Sequence, residues 1–300
     1  MLLRRKDDIM SILKYRALLK TLECNSLTQA AEQLGYTQPG ISHMILSLER
    51  EMGFPLLIRS RDGVTPTAEL EEILIYLRQI ITASDKLQET IDKINGIETG
   101  NVRVGAFHSI SLQWLPEVVH HFSANHPQIQ LQLFEGDQGE LTHWLLEGRV
   151  DCALMSAPAP EGFDFCPLLE DPVMAVLPDD HPLAGEEKIS PKELVKYPFI
   201  FPYEGSDEDT LRVLKGEKLS PKIKFRIKGD ETILSMVSQN LGVSLMPKLL
   251  LRRLPEHVTV KPLTTPYARC LGLAVRSRKY ASPATIKFMD AVQNFLENVK

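Results

Sequence analysis

The stretch Leu27–Arg50 constrains the fold more than any other part of the chain, because it holds two helical patterns with a sharp break between them. Thr28 is the expected N-cap of the first helix, since a threonine oxygen accepts a hydrogen bond from the open N–H groups of a first turn. Gly35 is expected to end this helix, because glycine readily takes the left-handed conformation of a tight helix exit. The face turned toward the second helix is predicted to be small and apolar: Ala30, Ala31 and Leu34.

Thr37 is predicted to cap the second helix, with Pro39 in its first turn, where a missing N–H costs nothing. The apolar positions of this helix recur at helical spacing: Ile41, Ile45 and Leu48. Small and polar residues lie off that stripe and suit base edges in a major groove: Gln38, Gly40, Ser42, His43 and Ser47. The spacing favours a helix-turn-helix that binds DNA, and the alternative that it leaves open is an ordinary pair of surface helices.

Length and cysteine use set the class of protein. At 300 residues the chain is long enough for two or three domains. It contains no run of about 18 apolar residues, so we expect no membrane span, and its first ten residues lack the apolar segment of a secretion signal. The cysteines stand singly, at Cys24, Cys152, Cys166 and Cys270. This pattern favours a reducing cytoplasm, with no disulfide framework and no zinc or other metal site, and no cofactor is expected.

The charge of the chain is divided unevenly. The net charge of −5 looks wrong for a DNA-binding protein, but residues 1–66 hold nine Lys and Arg against seven Asp and Glu, while the remainder holds 25 against 32. A small positive part followed by an acidic body is consistent with a DNA-binding head on a separate domain. Pairing two heads in a dimer would increase the attraction to phosphates, which dominates affinity for DNA.

The segments that flank the two helices complete a head domain. A helical stripe that could cover them precedes them, at Ile12, Tyr15, Leu18, Leu19 and Leu22. Phe54–Arg59 and Val64–Pro66 are short extended segments joined by a turn at Ser60–Gly63, as in the wing of a winged helix-turn-helix. Arg59 and Arg61 are the expected phosphate or minor-groove contacts of that wing, and solvated surface arginines are the alternative.

Thr67 is predicted to open a long helix that joins chains together. Apolar residues alternate by three and four positions along it, with one serine among them: Leu70, Leu74, Leu77, Ile81, Ser84, Leu87, Ile91 and Ile94. This is the pattern of a coiled-coil seam, so we expect two chains to meet along it. Asn95, Gly96 and Gly100 end the helix and begin a linker.

From residue 101 the pattern is that of an α/β domain. Strand, helix, strand, helix and strand are predicted in turn at Val102–Phe107, Leu112–Ala124, Ile129–Phe134, Leu141–Glu147 and Asp151–Met155. This order implies a parallel sheet with right-handed crossovers. A similar texture follows from Val173 to Met246, beginning with a strand predicted at Val173–Leu177, and Ala284–Val299 is a closing amphipathic helix. Two α/β halves suggest a cleft, and ligands bind at the carboxyl ends of strands in such sheets.

Taken together, the chain resembles the LysR-type transcriptional regulators over about residues 11–300. The specific part is SLTQAAEQLGYTQPGISHMILSLEREMGFPLLIRS, and weaker likenesses are NVRVGAFHS, GRVDCALM, PDDHPL and LGVSLMP. The resemblance implies a mixed fold: a winged helix-turn-helix, a long dimerising linker helix and a two-lobed α/β effector domain like the periplasmic binding proteins. It also implies a bacterial, cytoplasmic regulator that assembles as a homodimer or homotetramer on promoter DNA.

The resemblance divides the chain into three parts. Residues 11–66 are expected to form the winged helix-turn-helix, residues 67–97 the linker helix and residues 100–300 the effector-binding domain. Within that domain, lobe I is expected to span about residues 100–164 and 271–300, and lobe II about residues 165–270.

Three local differences separate this chain from the family's usual pattern. His43 stands where the family usually has arginine. The wing reads RSRDG, so that a basic residue has moved to Arg61 and Asp62 stands where the family often has arginine. The entry to the linker helix reads Thr67-Ala68-Glu69-Leu70 instead of threonine-glutamate-alanine-glycine.

The family's DNA contacts carry over to Thr37, Gln38, Pro39, Ser42 and His43 on the recognition helix and to Arg59 in the wing. Gln38 is the best candidate to read a base, because its amide can pair with adenine at two positions.

The family's effector position carries over to His108 and Ser109, at the start of the helix after the first strand. Backbone N–H groups at a helix N-terminus favour an anion, so an organic acid is a candidate effector. Weaker candidates for the same site are Ser156, Tyr203 and Thr232.

Two other functions remain open at this stage. One is an enzyme whose body carries out chemistry while the head localises it, but GxSxG, phosphate-loop, GxGxxG and HExxH motifs are lacking, so we expect no enzyme. The carboxylates Glu135, Asp137 and Glu140 are interpreted as a solvated loop. The other is a redox sensor using Cys166 or Cys270, although lone cysteines are usually small buried side chains. An activator would also have RNA polymerase as a partner.

Overall fold

The computed structural model describes residues 11–60, 63–95, 98–203 and 207–299. The chain divides into two compact units, residues 1–100 with 146–149 and residues 101–145 with 150–300. Among the described residues, no helix combines the length and the apolar character needed to cross a membrane.

The first unit contains a helical head, a two-stranded wing and one long helix. Its helices and strands are α1 Ile12–Glu23, α2 Leu27–Leu34, α3 Gln38–Met52, β1 Leu57–Ser60, β2 Gly63–Pro66 and α4 Ala68–Ile94. β1 and β2 pair antiparallel as the wing.

The helix ends in the head follow the sequence closely, with one exception. Gly35 ends α2 in the left-handed conformation with φ +72°, and the Thr37 side chain accepts a hydrogen bond from the Gly40 N–H. The N-cap of α2 is Ser26, whose Oγ accepts from the Gln29 N–H, so the prediction of Thr28 was wrong. A serine accepts this bond as well as a threonine does, and α2 starts earlier than a cap at Thr28 would require.

The apolar core of the head includes the first half of α4. Leu18, Ile41, Ile45 and Leu48 are fully buried. The same cluster contains the first positions of the predicted seam: Leu70, Leu74, Leu77 and Ile81. The expectation that two chains meet along the whole seam therefore needs correction, because its first half packs inside its own chain.

The second unit alternates strands and helices. In its first part these are β3 Gly100–Ala106, α5 His108–Gln113, α6 Leu115–Asn125, β4 Ile129–Glu135, α7 Gln138–Leu146, β5 Cys152–Ser156 and β6 Asp164–Pro178. There follow α8 Pro191–Leu194, β7 Phe199–Pro202, α9 Glu208–Gly216, β8 Ile223–Ile227, α10 Asp230–Ser238, β9 Ser244–Pro247, β10 Val258–Pro262, β11 Ala268–Val275 and α11 Pro283–Val299.

The main sheet of this unit is mixed, not parallel as the sequence suggested. Its order is β10-β6-β11-β5-β3-β4, with β9 also paired to β6. β3 and β5 are parallel, but β11 lies antiparallel between β5 and β6. The error arose because β11 was not recognised, and because β6 is three times as long as the strand predicted at Val173–Leu177.

Separate apolar clusters stabilise the two halves of this unit. The first half is built around β3, β4 and β5, and the second half around β7, β8 and β9. α6 and α11 cover the sheet of the first half, where the rings of Phe122 and Phe288 meet edge to face at 5.5 Å. The second half packs around Phe199, Phe201 and Leu245, next to the parallel pair β7 and β8. The long strand β6 contributes residues to both clusters, and two cores that share a strand are consistent with two α/β halves.

Candidate functional site

The N-terminal end of α3 presents the predicted DNA-reading residues to solvent. Ile41, Ile45 and Leu48 bury one face of the helix in the head core. Thr37, Gln38, Pro39 and His43 are exposed, and Ser42 is half-buried. A helix held by one face, with polar side chains free at its first turns, is the geometry by which a recognition helix enters a major groove.

Ser47, further along the same helix, is occupied by its own chain. Its hydroxyl accepts a hydrogen bond from Lys14 Nζ at 3.0 Å and donates one to Glu51 Oε1 at 2.9 Å. Lys14 and Glu51 also form an ion pair. This network joins α1 to α3, so Ser47 stabilises the head instead of offering a free group to a base.

The wing presents Arg59 to solvent on β1, opposite Val64 of β2. The Asn25 side chain accepts a hydrogen bond from the Val64 N–H at 2.6 Å, which ties the wing to the turn after α1. The predicted contact at Arg61 lies outside the described residues.

A cavity of about 440 Å³ in the second unit contains most of the predicted effector residues. It opens at the carboxyl ends of strands from both halves, after β3, β4 and β5 on one side and after β7, β8 and β9 on the other. His108, Ser109, Ser156 and Thr232 line it, whereas Tyr203 is 51% exposed and does not. The structure therefore brings four of the five predicted residues to one cavity.

The predicted residues differ in what they can offer a ligand. His108 Nδ1 lies 2.9 Å from Glu135 Oε1 near the opening. Ser109 is buried, and its Oγ accepts a hydrogen bond from Arg269 Nη2 at 3.0 Å. Ser156 is also buried, and its backbone N–H and C=O both bond the side-chain amide of Gln138. Ser109 and Ser156 therefore shape the cavity wall, while His108 and Thr232 are accessible.

Arg269 is the central charged residue of this wall, and sequence reasoning assigned no role to it. Its Nε lies 3.0 Å and its Nη2 2.9 Å from Asp171 Oδ2, and its Nη1 lies 3.2 Å from Asp209 Oδ2. Asp171 also accepts a hydrogen bond from the Leu249 N–H at 2.9 Å. The guanidinium thus joins β6, β11, α5 and α9 around the cavity. A buried charge is tolerated because these partners compensate it.

Glu135, Asp137 and Glu140 were interpreted as a solvated loop. The structure agrees that Glu135 and Glu140 are exposed, but it places Glu135 on β4 and Glu140 on α7. All three line the cavity, because the segment after β4 turns into it. Asp137 and Glu140 cap α7 reciprocally: the Asp137 N–H donates to Glu140 Oε2 and the Glu140 N–H donates to Asp137 Oδ1. This is a capping box built from two acidic residues.

Two further acidic residues of the cavity titrate abnormally. Desolvation within the cavity, followed by the nearby carboxylate of Asp209, raises the pKa of Glu208. Desolvation also raises the pKa of Asp230, with repulsion from Asp209 and Glu231 adding to it and with His108 and Arg269 opposing it. Carboxyl groups that resist ionisation in a cleft are typical of binding sites.

Sequence reasoning missed these residues for identifiable reasons. Arg269 lies on β11, a strand that was not recognised, and Asp171 lies in the unrecognised first part of β6. Glu208 and Asp230 are the first residues of α9 and α10, where acidic side chains are common for helix capping alone. The available signal was that acidic residues stand at the start of helices that follow strands. This signal does not distinguish residues that cap a helix from residues that bind a ligand.

A larger groove of about 560 Å³ lies on the surface between α6 and α11, over Val118, Phe122 and Phe295. It holds none of the predicted site residues. Polar groups of both halves converge instead on the strand-end cavity, and such convergence is typical of ligand sites.

Two of the four cysteines, Cys152 and Cys270, lie in surroundings that disfavour the reactive thiolate. Burial raises the pKa of the Cys152 thiol. Desolvation and a hydrogen bond with Glu170 raise the pKa of the Cys270 thiol. The thiolate is the reactive form of cysteine, so both shifts act against redox sensing at these positions. Among the described residues, no group of three or more His, Cys, Asp or Glu could hold a metal ion.

Comparison with known proteins agrees with this anatomy. Residues 12–69 match the model of the bacterial regulatory helix-turn-helix protein, lysR family, and residues 95–297 match the LysR substrate binding domain. The chain is 30% identical over 286 residues to the uncharacterized HTH-type transcriptional regulator YvbU of Bacillus subtilis (strain 168), covering 94% of this chain and 97% of that protein. It is 28% identical over 293 residues to the probable HTH-type transcriptional regulator LrrA of Synechococcus elongatus, covering 97% and 99%.

Among solved structures, a full-length variant of OxyR from Pseudomonas aeruginosa has a similar fold. The TM-score is 0.78 at 22% sequence identity, over 96% of this chain and 95% of that one. The resemblance and the mixed fold predicted from the sequence are thereby confirmed. The chain belongs to the LysR family and is a DNA-binding transcriptional regulator with an effector-binding domain.

Proposed function

We propose that this regulator reads promoter DNA with the first turns of α3 and the wing, and that a small molecule in the strand-end cavity controls this binding. The observation that carries the proposal is the cavity itself. It lies within the part of the chain that matches the LysR substrate binding domain, and residues from both halves of that domain line it. A ligand there would contact both halves and could favour one arrangement of them over another.

The DNA part of the proposal rests on side chains that are exposed and oriented together. Gln38 can donate and accept in the plane of its amide, which suits the two major-groove positions of adenine. Thr37, Ser42 and His43 offer further donors and acceptors on the same helix. Arg59 supplies a charge for phosphate, with Arg61 proposed as its neighbour.

Within the cavity, we assign ligand contact to His108 and Thr232 and a supporting role to Ser109 and Ser156. The Ser109 hydroxyl accepts a hydrogen bond from Arg269, so its removal would disturb the cavity wall that this guanidinium holds together. Tyr203 stays a weaker candidate, because it is exposed beside the described cavity wall.

Self-association is proposed through the second half of α4. Leu87, Ile91 and Ile94 are 64%, 41% and 79% exposed, and they continue the seam whose first half is buried in the head. Apolar residues repeated at this spacing and exposed in a single chain fit a helix–helix contact between two chains. A dimer, or a tetramer built from two dimers, would place two heads on one promoter.

The cellular setting follows from the same proposal. A promoter-binding regulator of this kind acts in the bacterial cytoplasm, has no catalytic activity of its own and contacts RNA polymerase where it activates. A redox-sensing regulator is the alternative function, and the raised thiol pKa values of Cys152 and Cys270 disfavour it.

Footprinting of the full chain on DNA fragments selected from the source genome tests the DNA part. We expect Gln38→Ala to weaken binding to the protected site by about 1–3 kcal/mol, as for one bidentate base contact, and to relax preference at one base pair. Gln130→Ala, an exposed glutamine on β4, is the matched control and should bind like the wild type. Unchanged affinity and base preference in Gln38→Ala would remove this residue from the reading surface.

A further inference from the structure

We propose that the effector of this regulator is an organic cation, with an ammonium or guanidinium group bound among Glu208, Asp230 and Glu231. This inference rests on the proposed function of the cavity and goes further by naming the chemistry of its ligand. It departs from the organic acid that the sequence suggested.

The charge lining the cavity is predominantly negative. The described lining residues include seven Asp and Glu, against Lys228 and Arg269 as the only Lys and Arg. A cavity walled by one sign of charge concentrates ligands of the opposite sign. Charges that already neutralise one another within the cavity wall do not select a ligand. Only the charges that remain after this internal pairing attract one.

The arginines at the cavity wall, and His108, are already paired with carboxylates of the protein. Arg269 is bound by Asp171 and Asp209, and Arg212, behind the wall, lies 3.4 Å from Asp209. These two guanidinium groups and two carboxylates balance one another. His108 is held against Glu135. Arg269 is therefore a neutralised structural group instead of a free receptor for a carboxylate.

Several carboxylates that line the cavity have no cationic partner in the protein. Among the described residues, the side chains of Glu208, Asp230 and Glu231 make no hydrogen bond and no ion pair. Asp137 and Glu140 bond only backbone N–H groups of their own capping box, so their charges are not offset by a cation. Lys228 is the one lysine of the described wall that stands against this surplus.

The surroundings of Glu208 and Asp230 disfavour the charged form of these two carboxylates. Desolvation raises the pKa of both Glu208 and Asp230. Neighbouring carboxylates add to both shifts, and they are opposed by Arg212 at Glu208 and by His108 and Arg269 at Asp230. A ligand ammonium between them would relieve that repulsion and would donate to oxygens that can only accept. An added carboxylate would meet the same groups with the same sign of charge.

The size and arrangement of the site favour an organic ion over a metal. About 440 Å³ accommodates a small organic molecule. Among the described residues the carboxylates are too dispersed to form a metal-binding group. They stand at the starts of α9 and α10, on separate elements, so a flexible molecule with one or two cationic groups can reach them.

Calorimetry on the full chain with charge-matched probes tests the proposal. The probes are 1,4-diaminobutane and agmatine as cations, succinate as the anion and 1,4-butanediol as the neutral molecule of similar length. We expect at least one cation to bind at millimolar concentration or below, and the anion and the diol not to bind. Asp230→Asn and Glu208→Gln should each weaken the cation by about tenfold or more, as for loss of one charge-assisted contact. Glu187→Gln, on an exposed carboxylate away from the cavity, should change nothing.

Several results would overturn the inference. These are binding of succinate in place of the cations, equal binding of the diol and the diamine, no binding by either cation, or cation binding unaffected by both cavity variants. Thermal melting of each variant without probe checks that it is folded. Succinate binding that strengthens in Asp230→Asn would reject a cationic effector while leaving a ligand-controlled regulator intact. If the wild-type chain protected no site on the genomic fragments, that result would reject the proposed DNA-binding function. It would not bear on the charge of the ligand.

Discussion

Arg269 shows how much of this cavity depends on one side chain. It is buried, and it holds Asp171, Asp209 and Ser109 from three different elements. Removing it would leave the buried Asp171 carboxylate with the Leu249 N–H but without its ion-pair partner, while Asp209 would keep Arg212 at 3.4 Å. A single break in a buried charge network costs far more than the loss of a surface pair.

We therefore expect Arg269→Ala to destabilise the chain by about 3–5 kcal/mol, because the buried Asp171 carboxylate loses its ion-pair partner. Urea unfolding of the full chain measures this change. Arg278→Ala is the control, since Arg278 pairs with Asp290 at 2.7 Å on the surface and should cost at most about 1 kcal/mol. Equal losses in the two variants would contradict a special role for the buried network.

His181 makes stability depend on pH. Its Nδ1 accepts a hydrogen bond from the Leu183 N–H, its ring meets Tyr197 edge to face at 4.3 Å, and its buried Nε2 has no hydrogen-bond partner among the described residues. Desolvation lowers the pKa of His181 below its ordinary value of 6.5, against the opposing effect of Asp180. The unfolded chain then binds a proton at a higher pH than the folded chain does. The contribution to stability is present above pH 6.5 and is lost as the pH falls through the folded-state pKa.

The test is urea unfolding as a function of pH. His181→Asn keeps an acceptor for the Leu183 N–H but does not titrate, so its loss of stability on acidification should be smaller than that of the wild type. His120→Gln, at an exposed histidine on α6, should keep the wild-type dependence. A wild-type slope in His181→Asn would show that other groups cause the acid sensitivity.

The residue scale also shows where sequence reasoning succeeds. Gly35 and Thr37 could be placed at helix ends because the chemistry of a cap is local and needs only its own neighbours. Arg269 could not be assigned, because its partners lie 60 to 160 positions away along the chain. Only the folded sheet brings them together.

At the scale of elements, α4 has a buried and an exposed half that its sequence does not separate. The periodic apolar pattern predicted the helix and its seam, but the same pattern serves an internal contact as well as an external one. Leu70, Leu74, Leu77 and Ile81 pack on the head, and the apolar side chains of Leu87, Ile91 and Ile94 are exposed. Which half faces a partner depends on where the head domain ends, and that is a property of the tertiary structure.

This division makes a prediction about two lysine substitutions. Leu87→Lys should weaken self-association and leave the melting temperature of the head nearly unchanged, because Leu87 is 64% exposed in one chain. Ile81→Lys should destabilise the head itself, because a charge would enter its core at a position that is 8% exposed.

Analytical ultracentrifugation and thermal melting of the full chain separate the two effects. Gln88→Lys, beside the seam, can still interact with Asp92 four residues on and should associate like the wild type. If Leu87→Lys dimerises as tightly as Gln88→Lys, the second half of α4 is not the contact between chains.

The sheet of the effector domain is the second case at this scale. Strands joined by helices could be predicted to run parallel, and β3 and β5 do. β11 runs antiparallel to β5 and β6, because the chain returns to the first half only after it has formed the second. No local sequence pattern indicates that return. The strand-end cleft was predictable from alternating strands and helices, but the acidic character of its wall was not, because it depends on which charges neutralise each other.

At the scale of the whole molecule, regulation requires that ligand and DNA binding change one another. A ligand that bound every arrangement of the domain equally would shift nothing. Linkage also requires that the ligand change operator affinity by the same factor as the operator changes ligand affinity. Couplings of about 1–3 kcal/mol, or roughly 5- to 150-fold, are typical of such systems.

The most direct test of this account is the operator Kd of the full chain, measured by fluorescence anisotropy with and without a saturating ligand. The ligand is one that raises the melting temperature in a screen of amines, organic acids and aromatics. We expect it to change the wild-type Kd by roughly 5- to 150-fold. Thr232→Trp, which places a large ring in the cavity wall, should keep the ligand-free Kd and lose the change. An identical ligand-induced change in Thr232→Trp, or no change in the wild type at saturation, would contradict control of DNA binding from this cavity.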